Sequence, residues 1–135
     1  MVIGVGLDVV GLERVARWLS EGNGERIVRR LLTDGERRIW DGLAASRQVE
    51  FLAGRFAAKE AVAKAFGCGI GGVMGFRDIE VVPDERGKPV CRLSAEAWQR
   101  LGLKERGHAI HVSVTHDRTI AAAMAVVERI AKERA

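Results

Sequence analysis

Between Val2 and Val10 apolar residues alternate with small or acidic ones: Ile3, Val5, Leu7 and Val9 point one way and Gly4, Gly6 and Asp8 the other. A period of two predicts a strand, packed on its apolar face and nearly bare on the opposite one. Two glycines on the bare face let a backbone or a ligand come close, and Asp8 then projects as a carboxylate from a rigid strand end. Taken alone, Asp8 more simply ends the strand or caps the helix that begins near Gly11.

From Glu13 the period becomes helical. Val15, Trp18 and Leu19 define one short helix, broken by Ser20-Glu21-Gly22-Asn23-Gly24, and Ile27, Val28, Leu31 and Leu32 define a second between Glu25 and Leu32. Thr33-Asp34-Gly35-Glu36 has the form of a capping box and predicts a third helix from Asp34 to Leu43, with Ile39 and Trp40 turned inward. A long helix from Arg47 to Phe66 follows Ser46, and Gly67 stops it. Past the glycine-rich run Gly67 to Gly75, Asp78 to Val82 and Val90 to Leu93 read as a hairpin turned by Pro83-Asp84-Glu85-Arg86-Gly87-Lys88-Pro89. Ser94 caps a helix from Ala95 to Glu105, with Trp98 and Leu101 buried and Gly107 as its end. Ile110, Val112 and Val114 mark a strand that passes through a tight turn at His116-Asp117-Arg118 into a small-residue strand from Thr119 to Val127. Glu128 to Ala135 reads as a charged, fraying tail. A strand, then helices, then strands predicts the α+β class.

Composition narrows the possibilities. At 135 residues, 47% of them hydrophobic, the chain can bury one ordinary core, and residues 1–135 are expected to form a single compact domain. Its 22 basic residues exceed the 18 acidic ones modestly, which suits an acidic or phosphate-rich partner without the excess of a histone-like protein. Arg14, Arg17, Arg26, Arg29 and Arg30 gather on two short helices, either as a solvated face or, beside an exposed Trp18, as a docking surface for an acidic protein. Nucleic acid is the competing partner, but aromatics are only 5% of the chain, tyrosine is absent, and Trp40 and Trp98 read as core, so stacking platforms are missing. Cys68 and Cys91 stand far apart without a CxxC pair, so reduced thiols in a cytosol are expected rather than a zinc site or a disulfide framework. No basic leader or long apolar run stands at the start, so neither a signal peptide nor a membrane association is expected.

The most unusual stretch lies inside the long helix. Phe56 to Phe66 is rich in alanine and reads as buried, yet it carries Lys59, Glu60 and Lys64. Glu60 and Lys64 are four apart, which on spacing alone is an ordinary surface ion pair worth a few tenths of a kcal/mol. The glycines beyond spell neither a P-loop nor a dinucleotide fingerprint; their amides suit either a phosphate or a plain loop.

Five segments nevertheless stand in a recognisable order. They are Gly4-Val5-Gly6-Leu7-Asp8-Val9-Val10 with Glu13-Arg14; Phe51-Leu52-Ala53-Gly54-Arg55-Phe56-Ala57-Ala58-Lys59-Glu60-Ala61-Val62-Ala63-Lys64-Ala65; Gly69-Ile70-Gly71 with Phe76-Arg77-Asp78-Ile79-Glu80-Val81; Gly87-Lys88-Pro89; and Val112-Ser113-Val114-Thr115-His116-Asp117. Through them the chain resembles holo-acyl-carrier-protein synthases, the small 4′-phosphopantetheinyl transferases. The glycine–aspartate strand and the lysine–glutamate helix are weak signals apart and a specific one in this order, roughly fifty residues from each other.

The resemblance implies an antiparallel-rich sheet packed against the long helix. It also implies transfer of the phosphopantetheine arm from coenzyme A to a serine of an acyl carrier protein, with release of adenosine 3′,5′-bisphosphate, in cytoplasmic fatty-acid or polyketide synthesis. Asp8 and Glu60 would be ligands of Mg²⁺, a hard cation usually held by one or two carboxylates plus phosphate oxygens. Lys64 would complete the catalytic set by neutralising charge that builds on the leaving phosphate. Lys59, Lys64, Gly67, Gly69, Gly71 and His116 would contact coenzyme A, and Arg14, Arg17, Trp18 and Arg26 would dock the acidic carrier protein. The serine proton would pass to a carboxylate, to a metal-held water or to His116, among which the sequence does not choose. Family members of this short type resemble homotrimers with active sites shared between neighbouring subunits. Cys68 departs from the small hydroxyl residue more usual before Gly69. A coenzyme A-binding domain without turnover is the alternative reading.

Overall fold

The apolar periods become five helices and five strands in the computed structural model, which describes residues 1–130. In chain order these are β1 (Val2–Gly11), α1 (Leu12–Ser20), α2 (Gly24–Leu31), α3 (Asp34–Asp41), α4 (Ala45–Ala65), β2 (Ile79–Pro83), β3 (Pro89–Leu93), α5 (Ala95–Leu101), β4 (His108–His116) and β5 (Ile120–Arg129). Local chemistry accounts for most of the boundaries. Asn23 caps α2 by accepting from the Arg26 amide, and the capping box expected at α3 is present: Thr33 Oγ1 accepts from the Glu36 amide while Glu36 accepts from the Thr33 amide. Gly67 adopts φ +77° just past α4, the left-handed turn that ends a helix.

Most boundaries shift by a residue or two from the sequence reading, α3 ending at Asp41 rather than Leu43, and three further differences have a clear local cause or consequence. Helix α4 begins at Ala45 with no side-chain cap. Helix α5 stops at Leu101, because Gly102 takes φ +68° and bonds back to Gln99, well before Gly107. Strand β5 runs through Arg129, since Glu128 and Arg129 pair with Ala109 and His108 of β4. The start of the expected tail is thus strand; residues 131–135 lie outside the described residues.

The class is α+β, with an antiparallel sheet in the order β1-β5-β4 and a β2-β3 hairpin beside β4. Helix α4 lies across the inner face of the sheet, and its apolar residues run nearly all the way round, as a central helix requires. Small residues make the contact. Ala53, Ala57, Ala58, Ala61 and Ala65 on the helix and Ala121, Ala123 and Ala125 on β5 are all buried. Among the described residues no helix is long and apolar enough to cross a membrane.

The faces of β1 are the reverse of the expectation. The glycine side is packed and the apolar side is open: Val5, Leu7 and Val9 are 59%, 61% and 53% exposed. Alternation told the two faces apart but not which one meets the helix. What decides it is distance. A Cβ on Gly4 would fall 1.7 Å from the Ala65 carbonyl oxygen, and one on Gly6 would fall 1.8 Å from that of Ala61. Only a strand without side chains on this face lets α4 come so close. Gly6→Ala is therefore expected to lower the urea midpoint, by at least the ~1–3 kcal/mol typical of an overpacked core. Gly11→Ala, where a Cβ meets nothing within 4 Å, serves as the control, and equal midpoints for the two variants would refute the close-contact account.

Candidate active site

Residues two apart on a strand share a side. Asp8 therefore leaves β1 on the face of Gly4 and Gly6 and turns toward α4, where its side chain is 16% exposed. The helix presents Glu60 and, about one turn on, Lys64. The Lys64 ammonium donates to Asp8 Oδ1 at 3.0 Å and to the Leu7 carbonyl at 3.1 Å. It thus crosses to the strand instead of forming the along-helix pair that spacing suggested. The Glu60 carboxyl is held above its ordinary value, first by burial, then by the negative charge of Asp8, with Lys64 pulling the other way. A carboxylate and an ammonium from opposite ends of a 56-residue separation thus meet at one edge of the sheet, with the Glu60 carboxyl near enough to feel both charges.

Mutual repulsion between the carboxylates marks a place that a cation would relieve. Among the described residues no group of three or more His, Cys, Asp and Glu side chains converges, so a closed metal cage is not formed. Two hard carboxylates instead fit a cation such as Mg²⁺, which keeps water and takes phosphate oxygens to complete its shell.

His116 lies elsewhere. It ends β4 and approaches Glu50 at 3.4 Å across the mouth of a cleft of about 300 Å³ lined by Arg47, Phe51, Arg55 and Pro89. Arg55 is fixed there: its Nε donates to the Val81 carbonyl at 3.0 Å and its guanidinium stacks 4.2 Å from the Phe51 ring. Burial holds the Arg55 guanidinium below its ordinary value, with Glu36 opposing. Sequence reasoning assigned nothing to Arg47, Phe51 and Arg55, although an Arg-aromatic-Arg stripe at spacing four is a legible helix face. Phe51 and Glu60 stand about 180° apart round α4 at ~100° per residue, so the helix itself separates the cleft from the carboxylates.

A third feature is an apolar groove of about 210 Å³ between Trp18, Ile27, Leu31, Phe56 and Phe76, with Arg30 on its rim. Trp18 is half-buried rather than exposed: it meets Phe56 edge-on at 5.0 Å, and the Arg14 guanidinium covers it at 5.2 Å. Arg14, Arg17 and Arg26 stay exposed on α1 and α2, the helices that supply Trp18, Ile27 and Leu31 to this groove.

Two expectations are corrected. Lys59 is no ligand contact, for it is 0% exposed and its ammonium is held by Leu31, Glu36 and Phe76. Nor do the glycines cradle an anion. The amides of Gly67 and Gly69 donate to the carbonyls of Lys64 and Ala63, closing the C-terminal end of α4, whose dipole disfavours negative charge, and that of Gly71 donates to the Met74 carbonyl within the loop.

Residues 4–125 match the family model of the 4′-phosphopantetheinyl transferase superfamily. A holo-[acyl-carrier-protein] synthase of Bacillus pumilus is 45% identical over 130 residues, covering 96% of this chain and 98% of its own. The crystal structure of a holo-(acyl-carrier-protein) synthase from Bacillus anthracis in complex with CoA (3′,5′-ADP) superposes with a TM-score of 0.81 at 40% identity, covering 96% and 98% of the two chains. That of the Neisseria meningitidis holo-[acyl-carrier-protein] synthase gives 0.84 at 34% identity, covering 96% and 100%.

The strained carboxylate has a thermodynamic signature. A folded-state carboxyl held above its unfolded value binds more protons when folded, so it costs stability at neutral pH and nothing once both states are protonated. In chelator-treated protein, Glu60→Gln is expected to raise the melting temperature at pH 7, with the gain shrinking as pH falls from the raised folded value toward the ordinary carboxyl value of 4.5 and absent below it. A melting temperature lower than wild type at pH 7 would contradict this.

Proposed function

This chain belongs to the 4′-phosphopantetheinyl transferase superfamily, and on that footing we propose how its residues perform the transfer. Its activity is that of a holo-[acyl-carrier-protein] synthase, moving phosphopantetheine from coenzyme A to an apo-acyl carrier protein. The observation that carries the mechanism is the meeting of Asp8, Glu60 and Lys64.

Asp8 and Glu60 would hold Mg²⁺, which when bound neutralises the pyrophosphate of coenzyme A. Lys64, half exposed and mobile on four methylenes, can turn from Asp8 to the phosphate that leaves with adenosine 3′,5′-bisphosphate as the phosphorus–oxygen bond breaks. The carrier's serine oxygen attacks phosphorus from the opposite side, and the carboxylates are the proton acceptors beside it. No covalent enzyme intermediate is needed, because phosphoryl chemistry is accelerated chiefly by positioning and electrostatics. Free Cys68 and Cys91 take no part.

The remaining features take up the two substrates. The cleft of Arg47, Arg55 and His116 offers cations and an aromatic ring to the nucleotide end of coenzyme A. The groove at Trp18 and Phe56, with Arg30 on its rim, Arg14 over Trp18, and Arg17 and Arg26 exposed on the same two helices, suits an acidic helix with an apolar side chain at its centre.

In one chain α4 stands between cleft and carboxylates, which lie at the β4 and β1 edges of the sheet. The outer sheet face supplies a way to join them. Val5, Leu7 and Val9 form an open apolar surface with Ile120 and Met124, which lie opposite Gly11 and Leu7. A homotrimer closed through this surface would set the cleft of one copy against the carboxylates of the next.

Incubation with apo-acyl carrier protein, coenzyme A and Mg²⁺ is expected to add the mass of one phosphopantetheine arm, and Asp8→Ala or Glu60→Ala to abolish that addition while the protein remains folded. Coenzyme A binding without any added arm would instead support a binding domain. Sharing is tested by mixing Glu60→Gln chains with Arg47→Ala/His116→Ala chains after refolding together. Random reassortment should restore wild-type composition at about a quarter of the shared sites; no recovery in mixed trimers would place each site within one chain.

A further inference from the structure

Lys59 has no part in this mechanism, yet among the described residues it and its partner Glu36 are the two fully enclosed charges, both 0% exposed. Its ammonium donates to the Leu31 carbonyl at 2.7 Å, to Glu36 Oε1 at 2.5 Å and to the Phe76 carbonyl at 3.0 Å. Three donors meet three acceptors, so nothing is left for a ligand. Burial pulls this ammonium below its ordinary proton affinity, and Glu36 opposes the pull. A buried ion pair contributes little to stability over an apolar packing of the same volume, so stability alone is a weak reason for keeping it.

The identity of the acceptors supplies a better one. Leu31 is the last residue of α2, whose carbonyl has no partner within its helix. Phe76 opens the 3-10 turn Phe76–Asp78 that leads into β2. Leu31 and Phe76 both line the apolar groove, as does Phe56, about one turn before Lys59 on α4 and 5.6 Å from the Phe76 ring. Glu36 is itself fixed by the Thr33 and Val81 amides, which ties α3 and β2 into the same centre. One ammonium on α4 therefore holds the backbone of two groove-lining residues from separate segments, and it sits next to Glu60 in the chain.

We propose that Lys59 is a positioning residue for carrier recognition: it fixes the groove at a set place relative to Glu60, so that a helix docked there delivers its serine to the carboxylates. This rests on the reading of the groove as the carrier's site.

The test compares wild type with Lys59→Met and with Lys59→Met/Glu36→Gln, in which no charge is left buried without its partner. Urea denaturation establishes that each is folded, and steady-state transfer is measured while varying the carrier or coenzyme A. In the folded double variant the KM for carrier is expected to rise about tenfold, with the KM for coenzyme A within about twofold and kcat at saturating carrier within about threefold. An unchanged KM for carrier, an equal rise in both KM values, or failure of both variants to fold would reduce Lys59 to a structural residue and overturn the assignment. Wild-type protein that adds no arm to any carrier would sink the transferase reading and this one with it, an outcome distinct from an active wild type with indifferent variants.

Discussion

The fold depends on a contact in which backbone meets backbone. Helix α4 approaches β1 so closely that Gly4 and Gly6 have no room for a side chain beneath the carbonyls of Ala65 and Ala61. Asp8, the next residue on that face, is brought to the helix by the same approach, and Lys64 reaches across to it. A wider helix–sheet spacing, filled by valines as in an ordinary core, would leave the carboxylates and the ammonium out of reach of one another. The alanines of α4 and β5 serve the same purpose from the other side.

Around the axis of α4 the three charges that interrupt its apolar run have different surroundings. At ~100° per residue, Lys59 turns into the core, Glu60 to the edge of β1, and Lys64 further out, where it is half exposed. Burial decides what each can do. The enclosed ammonium is saturated by three acceptors. The partly buried carboxyl is held above its ordinary value first by burial and then by Asp8, and the outer ammonium is half exposed. One rigid helix thereby connects a proposed docking groove on one side with a proposed metal site on another, and separates that site from the nucleotide cleft.

Much of this was legible in local pattern. Periods of two and 3.6, the capping box at Thr33–Glu36 and the left-handed glycine after α4 act over a few residues, and they placed nearly every element. Two glycines, Gly102 and Gly107, compete in sequence to end α5, and it is Gly102 that takes positive φ, where its amide and that of Leu103 bond back to the Gln99 and Trp98 carbonyls. Lys59 was misplaced for a related reason. A lysine in an alanine-rich helix is normally a surface residue, and its acceptors, Leu31, Glu36 and Phe76, come from three separate segments that no local rule connects.

By itself, then, the sequence determined the order of elements, most of their ends to within a residue or two, the family resemblance and the residue types able to handle phosphate and a hard cation. Alternation and capping are short-range effects, and motif order survives without coordinates. Only tertiary structure decided which face of β1 is covered, that Lys64 pairs with Asp8 rather than Glu60, that the loop glycines close a helix instead of an anion site, and that His116 stands across α4 from the carboxylates. Each of these is fixed by distances between segments far apart in the chain, where close packing of small residues, rather than any local preference, sets what can touch.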